Sequence, residues 1–305
     1  MSISLTILGC HSATPRVNAY PTSQYLEINN CHFLIDCGEG TQRQMRKYKV
    51  SFSKINHIFI SHLHGDHFYG LVGLLSTLGI LGRERELHVF GPKGIREITL
   101  LNLKFSQSHA KFPIKFHELS SKKSETILNN DKILVKTIPL DHRIYTNGYL
   151  FIEKEKKRNL DIEKIKNYPE ITRADYQNLK EGKDFVLSNG NIISNNELTL
   201  PPKKPLSYGY CSDTAYKLDN VEILNNLDLL YHEATFLNDR EDLAEKTKHS
   251  TTSQAALIAK KANVKRLIIG HYSGRYKDLS EFKKQAQEIF LNTCLAEPGK
   301  IIEVK

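Results

Sequence analysis

The stretch ISHLHGDHFYG, Ile60 to Gly70, packs four potential metal ligands into six residues: His62, His64, Asp66 and His67. On an extended segment His62 and His64 point the same way, and Gly65 lets the chain turn Asp66 and His67 toward a second position. Nitrogen and oxygen donors without cysteine favour a catalytic Zn²⁺ over a purely structural zinc, with Mn²⁺ or another divalent ion as the alternative. The stretch follows an apolar, strand-like run, HIFIS, and that placement recurs along the chain.

KILVKTIPL leads into Asp141 and His142, PLSYGYCS into Asp213, LDLLY into His232 and Glu233, and RLIIG into His271. Residues at equivalent strand ends of a sheet gather at one edge, where loops converge on a ligand. His142 then joins the first ion position and His271 the second, with Asp213 as a carboxylate bridge. Two ions roughly 3.5–4 Å apart would polarise a shared water and neutralise charge on a phosphoryl oxygen. The same arrangement also suits lactams, thioesters and other acyl groups, so metals alone do not select the substrate. His249, in KHSTTS, is a candidate acid for a leaving alkoxide, and Glu233, in HEATF, could hold its imidazole and favour the charged form. His11, His57, His88, His109 and His117 lack a companion pattern and read as core, surface or supporting residues, as does His232.

At 305 residues and 40% hydrophobic, the chain is long enough to bury a large core. Its net charge of +9 favours a polyanionic partner. The densest basic stretch runs from Thr41 to Lys54 and holds Arg43, Arg46, Lys47, Lys49 and Lys54 without an acid, either as a solvated face or as a phosphate contact. Five scattered cysteines without a CxxC pair read as reduced thiols and exclude a disulfide scaffold or a thiolate zinc site. The N-terminus shows no signal-peptide pattern, and the longest apolar stretch, Leu71 to Leu81, is too short to cross a bilayer. These features lead to the expectation of a cytoplasmic protein that does not enter a membrane.

Ile3, Leu5 and Ile7 alternate along one strand, and CHFLIDCG reads as another. TQRQMRKY, TTSQAALIAKKA and SEFKKQAQEIFL read as helices, the last with Ser280 as its N-cap. Mixed strands and helices in both halves predict a layered α/β domain over residues 1–305. From Tyr149 to Leu206 the sequence becomes charged and poor in apolar residues, closing with PPKKP. It reads as an inserted flexible arm, 149–206, with too little apolar matter to bury.

Taken in order, HLHGDH, HEAT, HST and GHYSGRY resemble the short form of the ribonuclease Z family, with a match running from LGCHSATP to EPGKIIEV. HxHxDH alone marks only the wider metallo-β-lactamase superfamily. The resemblance implies an αββα four-layer sandwich, two zinc ions per subunit, and an endoribonuclease that removes the 3′ trailer of precursor tRNA, leaving a 3′-hydroxyl. It also implies a homodimer in which the arm of one subunit helps hold tRNA for the other. Carried over by position, the family's ligands fall on His62, His64, Asp66, His67, His142, Asp213 and His271. Asp66 is also the implied proton acceptor, His249 with Glu233 the proton-donating pair, and Arg275 in GRY a phosphate contact. The chain departs from the family at Arg173-Ala174, where the arm commonly carries Gly-Pro, and at TPRVNAYP, where many members carry a PxKxRN loop. Two other readings stay open: a phosphodiesterase of the same fold acting on a small molecule, and a non-catalytic RNA-binding relative.

Overall fold

The apolar runs that frame the histidines become strands. The chain is seen here in a computed structural model describing residues 3–108 and 110–304. The first half holds β1 (Ile3–Gly9), β2 (Ser23–Ile28), β3 (Cys31–Ile35), β4 (His57–Phe59), β5 (Leu87–Pro92) and β6 (Ile114–Leu119). β7 (Thr126–Asn129), β8 (Ile133–Pro139) and β9 (Asn147–Glu153) follow. Four two-residue strands come next: β10 (Asn159–Leu160), β11 (Phe185–Val186), β12 (Ile192–Ile193) and β13 (Thr199–Leu200). β14 (Ser207–Cys211), β15 (Leu229–Glu233), β16 (Leu267–Gly270), β17 (Thr293–Leu295) and β18 (Ile301–Val304) complete the chain.

Among the described residues fourteen of these strands form two seven-stranded sheets, ordered β18-β1-β2-β3-β4-β5-β6 and β17-β16-β15-β14-β9-β8-β7, and the four short ones pair as β10-β13 and β11-β12. β3 to β6 are parallel in the first sheet, as are β14 to β17 in the second. Parallel strands need crossover helices, and those helices cover the outer faces. The sheets meet through their aromatic residues: Phe33 lies 5.3 Å from Phe151, and Phe59 lies 5.1 Å from Tyr149, between ring centroids. On the outer face of the first sheet, Leu34, Ile58 and Val89 join a core with Met45, Leu75 and Ile95 from the helices Thr41–Lys47, Gly70–Ile80 and Ile95–Phe105. The second sheet is covered by Thr252–Lys261 and Ser280–Ile289, whose Ala255, Ala259, Phe282 and Ala286 are buried. The order helix, sheet, sheet, helix is the αββα sandwich. Burying each such Leu, Ile or Phe contributes about 1.5–3 kcal/mol, so the two apolar faces of each sheet fix its place between layers.

Helix starts differ in one instructive way from the sequence reading. Ser280 is the first helical residue rather than the cap; Leu279 occupies that place, and the Ser280 N–H and hydroxyl both donate to the Asp278 carboxylate. A reciprocal capping box instead opens the helix Thr252–Lys261, where Thr251 Oγ1 accepts from Gln254 N and Gln254 Oε1 accepts from Thr251 N. No helix among the described residues is long and apolar enough to cross a membrane.

Residues Glu153–Pro205 form a compact unit distinct from the sandwich. Contrary to the expectation of too little apolar matter, this unit buries Ile165, Ile171, Leu179 and Leu198 in a small core flanked by Tyr168, Tyr176 and Phe185. Asn195 stitches it internally, donating through Nδ2 to Leu179 O at 2.7 Å and Lys183 O at 2.8 Å. Spread over some fifty residues without a helical or strand period, these apolar positions escape pattern reading.

Candidate metal centre

The strand-end side chains converge, but from two sheets rather than one. β4 of the first sheet leads to His62, while β8, β14, β15 and β16 of the second lead to His142, Asp213, Glu233 and His271. The ligand-type atoms of His62, His64, His142 and Asp213 lie within 4.8 Å of one another, and so do those of Asp66, His67, Asp213 and His271. Asp213 belongs to both groups. Its Oδ2 faces His62 Nε2 at 3.6 Å, and its Oδ1 faces His67 Nε2 at 3.3 Å and His271 Nε2 at 3.2 Å.

Hydrogen bonds fix which nitrogen each imidazole turns inward. His62 Nδ1 donates to Ser61 Oγ at 3.0 Å, and His67 Nδ1 to Asp36 Oδ2 at 2.7 Å. His142 Nδ1 donates to the Lys248 carbonyl at 2.9 Å, and His271 Nδ1 to Thr235 Oγ1 at 2.8 Å. In all four rings Nε2 is left facing the cluster, the arrangement outer partners impose on metal-ligating histidines. His64 presents Nδ1 instead, 3.0 Å from His62 Nε2 and 3.3 Å from His142 Nε2. Imidazole nitrogens aimed at one another this closely, with carboxylates between them, fit divalent cations as the shared partner.

The electrostatics agree. Burial works against ionisation of Asp66, but His67 and the hydrogen bonds from His271 and His67 hold its carboxyl well below the usual carboxylate range. Burial likewise opposes a charge on His67, yet Asp213, Asp66 and Asp36 drive its pKa well up. Positive charge is thus favoured where the carboxylates meet. By contrast, burial and the neighbouring His67 lower His62 well below its ordinary value.

Beside the second group, His249 Nδ1 donates to Glu233 Oε1 at 2.8 Å. Burial disfavours the imidazolium, but the Glu233 carboxylate and its hydrogen bond prevail and raise His249 to about 9. Glu233 is itself held by the backbone N–H groups of Thr214 at 3.0 Å and Thr235 at 2.9 Å. The cluster opens into a cleft of about 1040 Å³ lined by His249, Arg43, Arg143 and Arg275 among others.

Sequence reading missed Asp36, Ser61, Thr235 and the Lys248 carbonyl. Asp36 could have been found, because it ends the run CHFLI as His62 ends HIFIS. The others act through short polar atoms that carry no motif. Asp36, Lys248 and His271 also hold left-handed backbones, with φ of 54°, 55° and 63°; strain of this kind concentrates at functional sites. The remaining described histidines are not in the cluster. His232 Nδ1 donates to the Glu233 carbonyl at 2.7 Å. His57, His88 and His117, which lack a companion pattern in sequence, are companions in space: His57 stacks on His88 at 5.0 Å, and His88 Nδ1 lies 3.0 Å from His117 Nε2. Parallel register pairs His57 with His88, and His117 reaches His88 diagonally from the next strand, where its own partner is Phe90. His109 lies outside the described residues.

A family model described as anti-Pycsar protein Apyc1 matches residues 3–143. Ribonuclease Z of Bacteroides fragilis (strain YCH46) is 43% identical over 300 residues, covering 98% of each chain. The structure of human tRNase Z, short form, superposes with a TM-score of 0.72 at 25% identity, covering 98% of each chain. The metallo-β-lactamase fold protein YhfI from Bacillus subtilis shares the fold, with a TM-score of 0.70 at 17% identity over the whole of both chains. Identity of this size over 98% of each chain, with the same fold, leads to one conclusion: the chain belongs to the ribonuclease Z family.

Proposed function

We propose that this chain is a zinc-dependent endoribonuclease that removes the 3′ trailer of precursor tRNA. The observation that carries the reading is the Glu233–His249 pair, 2.8 Å apart, set beside a cluster able to hold two cations within a family of that name. His62, His64, His142 and Asp213 would hold one zinc ion, and Asp66, His67, Asp213 and His271 the other. When bound, the ions supply the charge that activates water and neutralises the phosphoryl oxygens.

The chain's own groups do the rest. Asp66, kept ionised, accepts the proton of the attacking water through its carboxylate. As the new P–O bond forms, the bond from phosphorus to the 3′-oxygen of the tRNA breaks. His249, its Nδ1 held by Glu233, delivers a proton from Nε2 to that oxygen, leaving a 3′-hydroxyl on the tRNA and a phosphate on the trailer. Arg275, on the cleft wall, contacts a backbone phosphate.

The unit Glu153–Pro205 is proposed as the arm that grips tRNA, in a cytoplasmic homodimer. The test is incubation of the purified protein with an unprocessed tRNA transcript and zinc. The expected result is one cut beside the discriminator nucleotide, lost in Asp66→Ala. Absence of cleavage, or identical behaviour of Asp66→Ala, overturns the reading.

A further inference from the structure

Tyr69 lies two residues beyond the metal-binding loop and has no part in the cluster or in the Glu233–His249 pair. Its ring rests on that loop. A Cβ placed on Gly65 would stand 2.2 Å from Tyr69 Cε2 and 2.5 Å from Cδ2, so the ring lies against the bare backbone between His64 and Asp66. A side chain at position 65 would push the ring away. Even so, Tyr69 is 68% exposed, and it lines the cleft together with Asp66, His64 and Arg43.

The backbone that carries the ring is anchored on both sides. Tyr69 N donates to Gly65 O at 3.0 Å, and the next residue, Gly70, donates to Cys37 O at 2.8 Å. Phe68 meets the ring edge at a centroid distance of 5.1 Å. A large aromatic surface held open to solvent, on a fixed backbone beside the reacting centre, is the recognition element proteins use for unpaired nucleotides. Every base has a π-face, and single-stranded RNA is read largely by stacking on such rings. Arg43, an exposed residue lining the same cleft, would meet a phosphate of the same strand.

We infer that Tyr69 is the stacking platform for an unpaired base next to the scissile phosphate, and so a specificity-determining residue of cleavage. This rests on the reading of the chain as a tRNA 3′ endonuclease. It goes further by assigning recognition of a base, beyond that of the backbone, to the rim of the metal loop. A ring that merely props up Gly65 would bind no base, and the experiment below separates the two roles.

The zinc-loaded enzyme, Tyr69→Leu and Tyr69→Phe are compared on a precursor tRNA transcript. The same transcript is also prepared with a single abasic nucleotide at each position on either side of the cut. On the intact transcript Tyr69→Leu is expected to lower kcat/KM about tenfold or more, whereas Tyr69→Phe, which keeps the ring, retains most of it. At one flanking position the abasic change should cost the wild type that same factor and Tyr69→Leu nothing further, the signature of a shared interaction. Zinc content is measured on each variant and should be unchanged. The inference is overturned if Tyr69→Leu matches the wild type, or if its loss multiplies independently with every abasic change, with or without loss of zinc. A wild-type enzyme that cuts no precursor overturns the endonuclease reading and this inference with it, whereas cutting with independent losses overturns this inference alone.

Discussion

His67 donates its Nδ1 hydrogen to Asp36 Oδ2 at 2.7 Å, and both side chains are fully buried. The same carboxylate accepts from the Ser61 backbone N–H at 2.7 Å, the Ser61 hydroxyl at 2.9 Å and the Tyr210 hydroxyl at 2.5 Å. Asp36 thus joins the histidine loop of the first sheet to β14 of the second. Asn at this position keeps the shape but sets an amide donor against existing donors. Asp36→Asn is expected to weaken zinc binding about 10- to 100-fold, as loss of an outer partner does. Competition with a chromogenic chelator checks it; unchanged affinity would show that Asp36 does not position His67.

The Glu233–His249 pair makes the pH dependence a signed prediction. His249 keeps its proton until the pH rises through about 9, so cleavage should fall on the alkaline side of that value. Glu233→Gln removes the carboxylate that raises His249, and the alkaline limb of the single-turnover profile should move to lower pH. His249→Ala should lose about 10²–10⁴-fold in rate at constant zinc content, the size of a missing general acid. A profile that Glu233→Gln leaves in place would contradict the pairing.

Asp213 faces both ligand groups, whereas His142 faces one. Metal analysis of protein purified without chelator should therefore find two zinc ions in the wild type and loss from one position in His142→Ala. Asp213→Ala should fall further, because both positions lose a carboxylate oxygen and the histidines around it lose their counter-charge. Equal zinc content in the two variants would argue against a shared carboxylate.

Tyr149, on β9, donates its hydroxyl to the Ile60 carbonyl at 2.6 Å, across the sheets and two residues before His62. The neighbouring Asn147 N–H reaches the Ser61 carbonyl at 3.1 Å. Tyr149→Phe leaves the Ile60 carbonyl buried without that donor and is expected to cost about 1–3 kcal/mol of stability. Urea denaturation of the zinc-loaded protein measures it, and a cost near zero would mean that the carbonyl finds another partner.

Ile152 and Ser207 are partners in the β9–β14 ladder, so the ends left by removing Glu153–Pro205 are already neighbours. A short turn joining them should leave the sandwich folded, with its zinc content intact. Hydrolysis of a small chromogenic phosphodiester should survive in that variant while tRNA cleavage collapses. Equal loss of both activities would remove the unit from tRNA recognition.

Most of the candidate metal centre was legible along the chain because its residues obey a local rule. Each follows an apolar run, and such runs become strands whose ends must leave the sheet together. Asp36 obeys the same rule, closing the run CHFLI as His62 closes HIFIS. Ser61, Thr235 and Lys248 obey none; they matter through a hydroxyl or a carbonyl whose partner lies up to 106 residues away. The small core of Glu153–Pro205 escaped for a related reason, its four buried residues having no common period.

By itself the sequence determined the sandwich, through apolar runs and amphipathic helices, and the choice of candidate ligands, through the residues that close those runs. Tertiary structure alone decided that the candidate ligands come from two facing sheets, which nitrogen each imidazole turns inward, and that Tyr69 rests on Gly65 with its ring open to the cleft. Periodicity is a property of neighbours in the chain, and local sterics and burial enforce it. Tautomer, shared carboxylate and exposed ring depend on atoms that meet only after the two sheets have packed.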